Sequence, residues 1–229
     1  MADTQGVPPG LLRSVSIFAG LDEAATAGLE RLVRRRSYAE GQVIVSEAER
    51  GDALFVLVRG KVKVVLYGQS GREVILSIFK EPGDFFGEMS LLDDEPRSAT
   101  VTAMEASDLV LLSRADFQTH LTRHPRLAIE VMTELSRRLR RADAVIGDLA
   151  LLDVLGRLAA RLRDLALSDG EPVPEGRVLR QRPSQAEIAA TIGTSRETVS
   201  RALSELARRG DVVLTGKRLL VSHRLLRRD

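Results

Sequence analysis

No cysteine occurs among the 229 residues. Disulfides, thiolate zinc sites and cysteine-ligated iron–sulfur clusters are therefore excluded. Only three histidines are present, His120, His124 and His223. His120 and His124 stand four apart, as a metal pair on a helix would, but no third ligand accompanies them, and they read as surface or helix-start residues. No apolar run approaches the roughly 20 residues of a membrane span. The opening MADTQGVPPG has neither the basic nor the apolar region of a secretory leader, so the expectation is a cytoplasmic chain without a membrane partner. Catalytic constellations are missing too: there is no Cys–His or Ser–His–Asp set, no GxxxxGK[ST] loop and no metal-ligand cluster. The carboxylates of LLDDE (91–95) are the best catalytic candidates, and acidic loops are usually solvated. An enzyme is the least expected outcome.

What is present divides unevenly. From Leu155 onward there are 15 Lys and Arg against 9 Asp and Glu, a net of +6; the preceding residues carry 19 against 23, a net of −4, which leaves +2 overall. A basic C-terminal third suits a polyanionic partner, or simply a solvated basic surface.

Glycines at 41, 51, 60, 71 and 83 punctuate the first half. Between them lie ALFVLVR, KVKVVLY, REVILSIF, ATVTAM and LVLLS, with the alternation of half-buried strands in Lys61-Val62-Lys63-Val64. GQSG and EPGD supply turn residues. Regular short strands of this kind predict an antiparallel sandwich or jelly roll.

The period then changes. Pro125 suits a helix first turn, and Met132, Leu135, Leu139, Ala142, Ile146 and Leu149 recur at spacings of 3, 4, 3, 4 and 3. That narrow seam fits a two-helix homodimer contact; a helix packed on its own domain would want a broader stripe. Asp153 breaks the seam and marks a bend. A further helix over roughly 154–167 carries Leu155, Leu158, Leu162 and Leu165 on one face, and SDGEPVPEG reads as a loop.

SQAEIAATIGTSRETVSRALSELARRG contains two apparent capping boxes, Ser184 to Glu187 and Thr194 to Glu197. Two short helices joined by a turn at Gly193 form a helix-turn-helix, and DVVLTGKRLLV adds a hairpin wing with its turn at Gly216 and Lys217. Ser195, Arg196, Glu197, Thr198 and Arg201 fall on the outward face of the second helix. Arg201 can meet guanine O6 and N7, Glu197 can accept from a cytosine amino group, and the hydroxyls of Ser184, Ser195 and Thr198 suit phosphates. Solvation of one helix face, or a protein-contact module, would use the same residue types.

FGEMSLLDDEPRSATV (86–101) places Gly87-Glu88 and Arg97-Ser98 on either side of an acidic loop. On the residues alone, a Glu88–Arg97 ion pair across a surface loop accounts for the pattern.

GDALFVLVRGKVKV, FGEMSLLDDEPRSATV, LALLDVLGRLA, SRETVSRAL and GKRLLV, in that order over nearly the whole chain, resemble the CRP/FNR family of the cyclic-AMP receptor protein. The resemblance implies an α+β fold: an N-terminal cyclic-nucleotide-binding β-roll (1–124), a long dimerisation helix and hinge (125–153) and a C-terminal winged helix-turn-helix (154–229). It implies a homodimer that binds double-stranded DNA, with cAMP as effector and RNA polymerase as a further partner. Within the cassette it makes Glu88 the acceptor for the ribose 2′-hydroxyl and Arg97 the partner of the cyclic phosphate. Ser98 adds a hydroxyl, and backbone N–H groups near Gly87 and Ala99 assist. Arg138 matches an arginine that approaches the ligand. Where the family has Thr and Ser (or a similar polar group) against the adenine base, this chain has Ala142 and Asp143; Asp143 could accept from the adenine amino group. The recognition helix implies half-sites like TGTGA and TCACA, with Arg196 and Glu197 sharing base pairs beside Arg201, and Lys217 on the wing. Arg97→Ala is then expected to abolish ligand response with the fold intact. A regulator that needs no effector or answers to another ligand, and a nucleotide-sensing subunit acting on a protein partner, remain the alternatives.

Overall fold

The computed structural model describes residues 7–8 and 10–227. Most of the N-terminal stretch read above for a leader (1–6 and Pro9), and the last two residues, lie outside them. The chain forms two compact units, the first of Met1–Gly68 with Ile75–Arg140 and the second of Gln69–Val74 with Arg141–Asp229.

The first unit opens with α1 (Leu11–Ser14), a 3-10 turn (Ser16–Phe18) and α2 (Glu23–Glu30). Strands β1 (Arg34–Tyr38), β2 (Val43–Val45), β3 (Ala53–Arg59), β4 (Val62–Tyr67), β5 (Glu73–Phe79) and β6 (Phe85–Phe86) follow. Then come α3 (Met89–Leu92), β7 (Thr100–Ala103), β8 (Ser107–Ser113), α4 (Arg114–Arg123) and α5 (Pro125–Leu151). The strands form two four-stranded sheets in the orders β1-β8-β3-β6 and β2-β7-β4-β5.

The β3 run ALFVLV is apolar throughout because both its faces are covered. Ala53, Phe55 and Leu57 join Val45, Val62, Phe86 and Val101 in the interior of the roll. Leu54, Val56 and Val58 join a second cluster with Leu12, Phe18, Leu29, Phe117, Leu127 and Val131 from the helices. β8 behaves alike, with Leu109 facing inward and Val110 and Leu112 facing the helices. Full burial of such side chains contributes about 1.5–3 kcal/mol each.

β1, of sequence RRRSY, is held by charge as well as by its ladder with β8. Asp108 on β8 is 3% exposed and accepts from Ser37 Oγ at 2.5 Å, Arg35 Nη2 at 2.8 Å and Arg59 Nε at 2.5 Å. Three charge-assisted bonds of this kind satisfy a buried carboxylate.

α5 serves two purposes along its length. Leu127 and Val131, ahead of the seam, are buried, and of the seam residues Leu135 packs against the same core. Met132, Leu139, Ile146 and Leu149 are exposed on the single chain, at 58, 64, 63 and 52%.

The second unit, to which Gln69–Val74 also groups, contains the end of α5, α6 (Val154–Asp169), β9 (Glu171–Val173), β10 (Gly176–Leu179), α7 (Gln185–Ile192) and α8 (Arg196–Arg208). β11 (Val212–Thr215), β12 (Arg218–Ser222) and α9 (His223–Leu226) complete it. The bend expected at Asp153 is a helix boundary: its carboxylate caps α6 by accepting from Gly156 N at 2.7 Å. Leu158, Leu162 and Leu165 pack with Ile188, Ile192, Val199, Leu203 and Leu206, and with Val212, Leu219 and Val221 of the wing.

The sheet order is β11-β12-β10-β9. SDGEPVPEG is thus more than a loop: it holds β9 and the turn into β10, and Pro172 is tolerated because β9 is an edge strand. Together the units give the expected α+β architecture, a β-roll, a long helix and a winged helix-turn-helix. Among the described residues no helix is long and apolar enough to cross a membrane.

Candidate ligand site and nucleic-acid interface

The cassette starts where β6 ends. Gly87 has φ +89°, and a Cβ there would fall 2.5 Å from Arg97 Nη1 and 3.1 Å from Ala53 O. Both the dihedral and the closeness require glycine. Glu88 follows at 2% exposed. Its partner is not Arg97: Glu88 Oε1 accepts from Arg138 Nη1 at 2.9 Å. Arg138 also donates to Phe85 O at 2.9 Å and to Glu134 Oε1 at 3.2 Å, and its guanidinium lies 4.6 Å from the Phe85 ring centroid. Among the described residues, Glu88 Oε2 is buried with no hydrogen-bond partner.

Arg97 turns inward and is 6% exposed. It donates to Gly87 O and Ala53 O at 2.8 Å each and to Ser90 Oγ at 3.2 Å, with its guanidinium 5.7 Å from the Phe55 centroid. Burial lowers its pKa, and the charges of Asp52 and Glu88 work against that. The surface ion pair Glu88–Arg97 does not form. Truncating Arg97 would strip donors from the buried Gly87 and Ala53 carbonyls, so Arg97→Ala is expected to cost stability as well as the site's cation.

Ser98 is exposed, with Oγ 4.0 Å from Met89 Sδ, and Ala99 is buried just before β7. Ala142 and Asp143 are exposed on α5. Sequence reasoning missed Ser90, the Ala53 carbonyl and Glu134. Glu134 was legible as an i,i+4 partner of Arg138; the Ala53 carbonyl carries no side-chain signal.

In the second unit the first capping box forms as read. Glu187 N donates to Ser184 Oγ at 3.1 Å, and Ser184 N donates to Glu187 Oε2 at 2.8 Å. Gly193 ends α7 in the left-handed region at φ +69°. The second box does not form. The cap of α8 is Ser195, whose Oγ accepts from Thr198 N at 3.2 Å. Glu197 ionises more readily than usual, held by its own backbone N–H and by the Ser195 hydroxyl.

Ser184, Ser195, Arg196, Glu197 and Arg201 are exposed, and Thr198 is half-buried. Arg201 Nη2 donates to Thr198 Oγ1 at 3.3 Å, and that oxygen lies 3.0 Å from Ser195 Oγ. The outward face continues through Ser200, Ser204 and Arg208, spaced by four from Arg196 and not singled out from the sequence. Lys217 is exposed in the two-residue turn between β11 and β12. Among the described residues no group of three or more His, Asp or Glu is placed to hold a metal.

Comparison with known proteins agrees with this arrangement. The chain matches the cyclic nucleotide-binding domain over residues 35–124 and the Crp-like helix-turn-helix domain over 156–228. It is 36% identical over 222 residues to the CRP-like cAMP-activated global transcriptional regulator of Mycobacterium tuberculosis, covering 95% of this chain and 98% of that one. It is 38% identical over 181 residues to the cyclic AMP receptor protein of Thermus thermophilus, covering 79% and 80%. The c-di-GMP-responsive global regulator CLP of Xanthomonas campestris superimposes with a TM-score of 0.75 at 27% identity, covering 88% of this chain and 99% of that structure. With a nucleotide-binding roll, a long helix and a winged helix-turn-helix in that order, the chain belongs to the CRP/FNR family of DNA-binding transcription regulators.

Proposed function

We propose that the protein is a homodimeric, cytoplasmic transcription regulator gated by cAMP and specific for palindromes of TGTGA and TCACA half-sites. In this reading residues 1–124 bind the effector, 125–153 form the dimer helix and hinge, and 154–229 bind DNA, with RNA polymerase as a further partner. The observation that carries it is Glu88 Oε2, a buried carboxylate oxygen without a partner beside the cation of Arg138. Such an acceptor is costly unless something donates to it, and a ribose 2′-hydroxyl is a donor of the right kind.

The cyclic phosphate is assigned to Arg97 and Ser98, with backbone N–H groups near Gly87 and Ala99, and the adenine amino group to Asp143. The exposed apolar residues of α5, Met132, Leu139, Ile146 and Leu149, supply the dimer seam. Two-fold symmetry sets the half-site centres about 34 Å apart, with Arg196, Glu197 and Arg201 at base edges and Ser184, Ser195, Thr198 and Lys217 at the backbone.

A second reading, a regulator that needs no effector, draws on the inward turn of Arg97, whose bonds go to its own chain. The deciding measurement is calorimetric titration with cAMP, with cGMP, AMP and c-di-GMP as controls. Binding to a TGTGA-N6-TCACA duplex at fixed salt follows in the same buffer. Saturation by cAMP at one site per chain, with tighter DNA binding when liganded, is the expected result. Firm specific DNA binding with no heat from any of these nucleotides would leave a constitutive regulator or one answering to another ligand.

A further inference from the structure

Arg114 opens α4 directly after β8, and its backbone N–H donates to Asp52 O at 2.8 Å. Its guanidinium joins three separate segments. Nη2 donates to Gly51 O at 2.7 Å and to Ser90 O at 2.6 Å, Nε reaches Gly51 O at 3.2 Å, and Nη1 pairs with Asp94 Oδ1 at 2.7 Å. The side chain is only 21% exposed.

Two of these segments wall Arg97. Ser90 Oγ accepts from Arg97 Nη1. Gly51 packs so closely that an added Cβ would fall 2.3 Å from Ser90 Oγ and 3.0 Å from Arg97 Cζ. The third segment is the acidic loop that leads into Arg97, where Asp94 sits at φ +61°, a region non-glycine residues enter at a cost. The ion pair to Arg114 works against that cost, in part, since the Asp94 side chain is 64% exposed.

We propose that Arg114 is a positioning residue for the effector site. It touches no ligand, but by fixing Gly51, Ser90 and Asp94 it sets where the Arg97 guanidinium lies before a ligand arrives. The planar fork with five donors is what the task requires: it spans two carbonyls and a carboxylate at once, which an ammonium on a flexible stem does not. The proposal rests on the effector reading above.

The test uses the full-length protein with Arg114→Lys and Arg114→Gln, and three measurements: thermal unfolding, cAMP titration by calorimetry, and amide hydrogen exchange by mass spectrometry. Arg114→Lys keeps the charge beside Asp94. It is expected to unfold close to wild type yet to lose cAMP affinity by roughly 10- to 100-fold, the scale of loss when a reacting or binding group is misplaced. Exchange is expected to speed up in residues 87–99 and not in β3 or β8. Wild-type affinity in Arg114→Lys, or faster exchange spread evenly over the β-roll, would overturn the proposal. If the wild-type protein binds none of cAMP, cGMP and c-di-GMP, the effector reading fails and the exchange data decide alone. Faster exchange confined to 87–99 then supports the positioning role, and unchanged exchange there ends it.

Discussion

Arg138 Nη1 donates to Glu88 Oε1 at 2.9 Å, so a helix residue supplies the charge partner of a carboxylate buried 50 positions earlier in the chain. Removing the cation leaves that carboxylate buried and uncompensated. Arg138→Leu is expected to destabilise the first unit by about 3 kcal/mol, the low end for a broken buried pair because a quarter of the Arg138 side chain is exposed. Adding Glu88→Gln should restore much of the loss, since the remaining group carries no charge. Urea unfolding of the two single variants and the double variant measures the coupling. Additive losses would show that the two groups do not act as a pair.

Asp108 ties β1, β3 and β8 through Ser37, Arg35 and Arg59. Burial pushes its carboxyl pKa up, but the Ser37 hydroxyl and the two guanidiniums outweigh burial and hold it at about 2. The folded value lies below the unfolded one, so this carboxylate stabilises the fold fully above about pH 4, and the contribution is lost as pH falls toward 2. Asp108→Asn should lower the melting temperature at pH 7 and flatten its fall between pH 4 and 2. A variant whose melting temperature falls in parallel with wild type over that window would mean that Asp108 does not govern the acid limb.

The sequence pattern reached those parts of the fold whose burial is periodic. ALFVLV was legible because both faces of β3 are covered, and the helix-turn-helix because Ser184, Gly193 and the apolar positions between them leave a local signature. β1 escaped notice because its Arg35 and Ser37 serve Asp108 on β8, so its pattern looks polar. β6 has two residues and β9 three, too short to display a period. In the candidate ligand site, the residues alone pointed to a Glu88–Arg97 pair, and a binding role for the two came only from the resemblance. Their real partners, Arg138 and the carbonyls of Ala53 and Gly87, are set by tertiary folding.

The cap of α8 is a local case of the same limit. Thr194 stands three residues before Glu197, as a capping box requires, and Ser195 only two, yet the backbone selects Ser195. Ser195→Ala should therefore cost about 1 kcal/mol of stability in the second unit. Thr194→Ala should cost well under half of that, because its side chain caps nothing. Thermal unfolding of the two alanine variants separates them. A larger loss at Thr194 would mean that α8 begins one residue earlier in solution.

Arg201 stands on the exposed face of α8, and its contact to Thr198 Oγ1 at 3.3 Å is long enough to yield readily to a base. If it reads guanine, its loss falls on the specific complex. Arg201→Ala is expected to weaken binding to a TGTGA-N6-TCACA duplex by about 1–3 kcal/mol per recognised base pair and to relax discrimination at that guanine. Binding to random-sequence duplex should fall far less, by one cation's share of the salt dependence. Fluorescence anisotropy on both duplexes at several salt concentrations separates the two effects. Equal losses on both, with the salt slope reduced by about one, would reassign Arg201 to a phosphate and leave Arg196 and Glu197 as the candidate base readers.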